Sequence, residues 1–142
     1  MPSPNIDFHS EDINFTLASK KKLRDWITKT IQNEKLETGE ISYIFCSDEY
    51  LHEMNVKYLD HDTYTDIITF DYTDDKLVSG DLFISYDRVK QNAKTFNDLV
   101  KNELHRVMIH GVLHLCGYGD KTESEKKIMR SKEDYYLHNR AI

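Results

Sequence analysis

A chain of 142 residues, 39% hydrophobic and 31% charged, is sized for one domain around one core, and a single domain over residues 1–142 is expected. Its 19 Lys and Arg against 25 Asp and Glu leave a net charge of −6, which argues against a generally basic nucleic-acid-coating surface without excluding a local basic groove. No apolar stretch approaches the roughly 18 residues needed to span a bilayer, and the opening MPSPNIDFHSEDINF lacks the basic and apolar regions of a secretory signal. Cys46 and Cys116 sit inside apolar runs rather than in a spaced framework, which fits a reduced compartment. No membrane association and a cytoplasmic address are therefore expected.

Residues 5–8 alternate and read as a first strand. From Ser19 to about Leu36, Leu23, Trp26, Ile27 and Ile31 recur at helical spacing, and Gly39 reads as a stop. Ile41, Tyr43 and Phe45 alternate as a second strand. Ser47 or Asp48 can cap a helix with Leu51, Met54 and Tyr58 on one face. Residues 67–72 and 80–85 look like two strands joined in a hairpin by the polar Thr73–Lys76 turn. Asp87 opens a helix carrying Val89, Ala93 and Phe96. Asp98 is expected to cap the next, whose stripe of Leu104, Val107, Met108 and Val112 runs to Leu115 before Gly117 stops it. Thr122 and Glu125 have the form of a capping box opening a last helix. The expected fold is α+β: a small mixed sheet of about four strands with about five helices.

The segment that carries chemistry is His110-Gly-Val-Leu-His114-Leu-Cys-Gly117-Tyr-Gly-Asp120. Residues four apart on a helix lie one above the other, so two imidazoles at that spacing can reach one divalent cation. Gly117 lets the chain turn out of the helix, and three more residues can return Asp120 to the same ion. Two nitrogens and a carboxylate oxygen suit zinc and leave a fourth position open, as catalytic sites require. The spacing is that of the metzincin metal helix and its turn. Seven histidines in this chain give roughly 0.3 chance pairs at i, i+4, so the pair alone is weak and the added Gly117 and Asp120 carry the inference. A zinc peptidase would place Glu directly after the first histidine as general base; Gly111 stands there and makes that class improbable. A base has to come from elsewhere, and Asp66 and Asp81, at the starts of predicted strands, are candidates for that role or for plain turn capping.

His110-Gly-Val-Leu-His114-Leu-Cys-Gly-Tyr resembles the signature of the YbeY family of bacterial metal-dependent endoribonucleases. Met54-Asn55-Val-Lys-Tyr58, Thr65-Asp66-Ile-Ile-Thr-Phe70 and Gly80-Asp81-Leu-Phe-Ile-Ser85 are similar to that family's other blocks and occur in family order. The resemblance implies an α+β fold, one Zn2+ per chain (with another divalent metal as an option) and action on single-stranded RNA in small-subunit ribosomal RNA maturation. It makes His110 and His114 the first two metal ligands and Asp120 the third, where most relatives have histidine. The added negative charge of Asp120 weakens the ion as a Lewis acid or shifts preference toward a harder metal. Leu59 stands where relatives usually carry an arginine thought to matter for cleavage, and leucine cannot pair with a phosphate. Tyr64, where relatives often have proline, is read as a matter of loop stiffness.

Two functions follow: a metal-dependent endoribonuclease with RNA, ribosomal RNA or the ribosome as partner, or a non-catalytic ribosome-assembly and RNA-binding factor whose metal is structural. The run Lys20-Lys21-Lys22-Leu-Arg24 could touch phosphates but reads first as a solvated helix face. The basic residues from Lys121 to Lys132 are expected to pair with interleaved glutamates. Cys116 is read as packing, and His105 as a surface or hydrogen-bonding residue rather than a ligand.

Overall fold

The computed structural model describes residues 5–142. Residues 1–4, which hold both prolines and the start of the opening read above for a signal, lie outside the described residues. The element order is β1 (Asn5–Ser10), α1 (Lys20–Asn33), β2 (Glu37–Cys46), α2 (Asp48–Leu59), β3 (Ile67–Asp71), β4 (Leu77–Ser85), α3 (Tyr86–Thr95), α4 (Val100–Leu115) and α5 (Glu123–His138). The four strands form one sheet in the order β1-β2-β4-β3. β1 and β2, and β2 and β4, run parallel, whereas β3 returns antiparallel along β4 through the expected hairpin. The sheet is thus mixed, and the fold is α+β as the sequence implies.

Strand alternation sorts the side chains to two sides of the sheet. Ile41, Tyr43 and Phe45 of β2 and Leu82 and Ile84 of β4 join Leu23, Ile27 and Ile31 of α1 and Met108, Val112 and Leu115 of α4 in the main core. Cys46 and Ile68 meet Leu51 of α2 in a smaller cluster, with Tyr50, Met54, Phe70 and Phe83 packed against it. α4 is buried on most of its circumference. The Tyr43 hydroxyl donates to the Met108 carbonyl at 2.9 Å, which pins that helix to the middle of the sheet.

Three local expectations are corrected. Gly39 does not stop α1; it lies inside β2, at a bulge, where a Cβ would sit 2.4 Å from Ser79 Oγ. Glycine is needed there for close approach between strands, not for a turn. Asp98 does not cap α4: Leu99 is the capping position, while the Asp98 carboxylate accepts from the Leu99 amide at 2.7 Å and the Asn102 side chain at 2.8 Å. Ser85 rather than Asp87 caps α3, accepting from the Arg88 amide. The Thr122–Glu125 capping box forms in full at the start of α5, and Ser47 caps α2.

Candidate metal centre

His110 and His114 stand one turn apart near the end of α4, their rings 4.6 Å apart and almost perpendicular. Gly117 takes a φ of +107°, and the chain turns back through Tyr118 and Gly119. Asp120 Oδ2 then lies 3.4 Å from Nε2 of both histidines. A tetrahedral ion with bonds of about 2.0–2.1 Å has ligand-to-ligand edges of about 3.3–3.4 Å. The spacing between carboxylate and imidazoles therefore has the dimension that such an ion demands, and the three residues could hold a metal ion.

The other ring nitrogen of each histidine is already engaged. His110 Nδ1 is 2.7 Å from Glu133 Oε2, and His114 Nδ1 is 2.8 Å from the Tyr118 carbonyl oxygen. An imidazole that donates from Nδ1 to a carboxylate or carbonyl presents the Nε2 lone pair outward and is oriented for ligation. Burial disfavours the imidazolium of His110, but the hydrogen bond and charge of Glu133 outweigh it and raise the pKa. Burial likewise opposes the charged form of Glu133. Hydrogen bonds from His110 and from Arg106, at 2.9 Å, more than offset it and leave its pKa lowered.

A second set of contacts fixes the turn that carries Asp120. The Tyr118 hydroxyl donates to Glu34 Oε1 at 2.5 Å, Tyr136 donates to the other carboxylate oxygen, and Lys132 Nζ lies 3.3 Å from Oε2. Burial works against the charged form of Glu34, yet these three donors lower its pKa. One carboxylate at the end of α1 thereby joins α5 to the turn after α4.

The imidazoles and Asp120 open into a cavity of about 530 Å³ that Asp66 and Leu59 also line. Burial pushes the Asp66 carboxyl up, with the His110 charge opposing. Of the two carboxylates considered as bases, the structure brings only Asp66 to this cavity; Asp81 lines the hollow on the other side of β3. No Lys or Arg lines the metal cavity among the described residues. Its far wall is the 60–66 segment, where buried Asn55 donates to the Thr63 carbonyl at 2.8 Å and His52 meets Asp62 at 2.8 Å. Tyr64 stacks on His52 with centroids 4.2 Å apart, so it packs this segment onto α2.

Other sequence readings resolve in the same frame. His105 is buried rather than at the surface, and its Nδ1 accepts from Arg140 at 2.6 Å. Burial, then the neighbouring Arg140 charge, depress its pKa to about 4. Cys116 packs against the core, where burial pushes its thiol up to about 12. Lys20, Lys21 and Lys22 are exposed, while Arg24 is drawn aside to donate to the Ile6 carbonyl. On α5, Lys126 pairs with Glu123 and Arg130 with Glu133, but Lys132 reaches Glu34 instead. The partner the sequence reading missed is Glu133, read only as one of several interleaved charges. Its one local signal is its place with Met129 and Tyr136 on the buried stripe of α5, an odd position for a carboxylate unless it is paired.

Fold and site together define an α+β protein in which two imidazoles of the central helix and a carboxylate from the turn after it could hold a metal ion. The chain belongs to the family described as Endoribonuclease YbeY, whose model matches residues 5–141. Relatives of that name include one from Flavobacterium johnsoniae, 51% identical over 92% of this chain and 91% of the relative. One from Cytophaga hutchinsonii is 51% identical over 96% of each chain. The solution structure of TM1509 from Thermotoga maritima superposes with a TM-score of 0.66 at 27% identity, covering 94% of this chain and 87% of that one. No helix among the described residues is long and apolar enough to cross a membrane.

Proposed function

We propose that this chain is a zinc-dependent endoribonuclease that cuts single-stranded RNA during small-subunit ribosomal RNA maturation in the cytoplasm. One ion per chain would be held by His110, His114 and Asp120. The relatives named as endoribonucleases over nearly the whole chain support the activity. The observation that carries the metal assignment is the pair of Nε2 atoms, each 3.4 Å from one Asp120 oxygen, with both Nδ1 atoms held elsewhere.

A divalent ion bound there supplies Lewis acidity and lowers the pKa of water. The protein contributes orientation and proton handling. Glu133 and the Tyr118 carbonyl hold the two imidazoles in the ligating tautomer, and Glu34 holds the turn that presents Asp120. Asp66, its affinity for a proton raised by burial in the same cavity, is the carboxylate placed to accept the proton of an attacking hydroxyl. Leu59 forms an apolar wall that offers the scissile phosphate no counter-charge.

That last feature favours a second reading, an RNA-binding ribosome-assembly factor with a structural metal and no cleavage. Metal analysis of wild type and His114→Ala, followed by cleavage of labelled single-stranded and duplex RNA, separates the two. The enzyme reading expects about one zinc per chain and cleavage confined to single strands, both lost in the variant. Cleavage that persists after metal loss overturns it. RNA binding without cleavage at any divalent metal moves the assembly-factor reading ahead.

A further inference from the structure

Back to back with the metal cavity, across β3, lies a second hollow of about 460 Å³. Side chains alternate across the strand: Thr69 and Asp71 line the metal cavity, and Phe70 between them lines the hollow. At the end of α2 the same division falls between Tyr58, on the hollow, and Leu59, on the metal cavity. β3 pairs only with β4, so it is the edge of the sheet. A flexible strand laid over that edge would meet both cavities.

The hollow is aromatic and acidic. Tyr58 and Tyr72 are 59% and 60% exposed around it, and Phe70 stands edge-on to Tyr58 at 6.4 Å and to Phe83 at 5.8 Å. Single exposed tyrosines are ordinary, and the inner phenylalanines pack under α2 as any small cluster does. Two carboxylates line the same aromatic hollow: Asp81, within hydrogen-bond reach of the Tyr72 hydroxyl, and Glu53, exposed on α2. The Lys57 ammonium stands at its rim, 5.3 Å from the Tyr58 ring centre.

We propose that this hollow is a base-binding subsite, which takes an unpaired, amino-bearing nucleobase of the RNA, guanine foremost, from a nucleotide flanking the one at the metal cavity. The proposal rests on the RNA-cleaving reading of that cavity. Exposed aromatic rings offer a stacking surface that any base can use. Two carboxylates repel a phosphate, so the occupant is the base, and the sugar–phosphate chain passes outside, near Lys57. Carboxylates accept but cannot donate, so they pair with bases that present amino or ring N–H donors. Guanine offers two adjacent donors on its pairing edge; adenine and cytosine offer an amino group. Uracil offers a single N3–H between two carbonyl oxygens that the carboxylates repel, and is disfavoured.

The test is binding by the metal-loaded chain of 2′-O-methyl oligouridylates, which cannot be cut by their own 2′-hydroxyls and whose length is checked after each titration, with and without one central guanosine, read by fluorescence anisotropy. The guanosine is expected to tighten binding about fivefold to tenfold, and Asp81→Asn with Glu53→Gln to erase that preference. Tyr58→Ala is expected to weaken binding to either oligomer about tenfold. Metal content and thermal melting, followed in parallel, show that each variant is folded and loaded. A guanosine preference that survives the double substitution, or Tyr58→Ala binding like wild type, overturns the subsite. Oligomers bound as expected while unprotected RNA is never cut would sink the nuclease reading and leave the subsite standing. Normal cleavage with Tyr58→Ala unaffected does the reverse. No oligomer bound at all removes both.

Discussion

The two walls of the metal cavity are built differently. On the α4 wall each imidazole has a second partner behind it, and those partners are buried or tied across three helices. On the opposite wall the 60–66 segment is largely exposed and hangs on α2 by Asn55, the His52–Asp62 contact and one stacked ring. The wall with the candidate donors is tied from behind, and the opposite wall is exposed and held by few side-chain contacts. Damage to the first wall should therefore register in metal affinity and damage to the second should not.

The largest effect is expected from His114→Ala, which leaves two donors and should abolish stoichiometric zinc in elemental analysis. Zinc retained at one per chain would break the comparison at its root. Glu133→Gln keeps the volume but removes the charge behind His110; metal affinity should fall about 10–100-fold, measured by competition with a chromophoric chelator. The foundation of the same wall should also answer to acid. His105 is buried and its pKa is depressed from 6.5 to about 4, so the unfolded chain takes up the proton first. Its contribution is fully present above pH 6.5 and lost as pH falls through about 4. Between pH 7 and pH 5 wild type should lose about 2 kcal/mol relative to His105→Gln, seen in urea midpoints. The smallest effect belongs to the loose wall. Asn55→Ala should cost about 1 kcal/mol of stability and leave chelator-competition affinity within twofold of wild type. A tenfold loss of metal affinity there would show that the two walls are coupled.

What the sequence made visible was local. His110, His114 and Gly117 are legible because helical periodicity and a left-handed exit are properties of a few consecutive residues, and the Thr122 capping box is legible for the same reason. Element order followed from periodicity and turn chemistry. Misreadings arose where a distant segment decides. Gly39 looked like a helix stop until the neighbouring Ser79 showed what its missing Cβ is for. Asp66 and Asp81 look alike as strand-start carboxylates, and only the pairing of β3 with β4 places them by different cavities. His105 gave no sign that Arg140, from the far end of the chain, would close over it. Glu133 lies 23 residues beyond His110, a distance that no motif spacing bridges.

That separation bears on the order in which a ribosome releases the chain. His110, His114 and Asp120 precede Glu133 and Tyr136 in the chain, so the candidate donors are made before the groups that orient them. Until α5 docks, His110 lacks its partner carboxylate and the Glu34 anchor lacks two of its three donors. The proposed site would thereby take its ion tightly only once α5 has docked, and a truncated product would be a poor competitor for divalent metal.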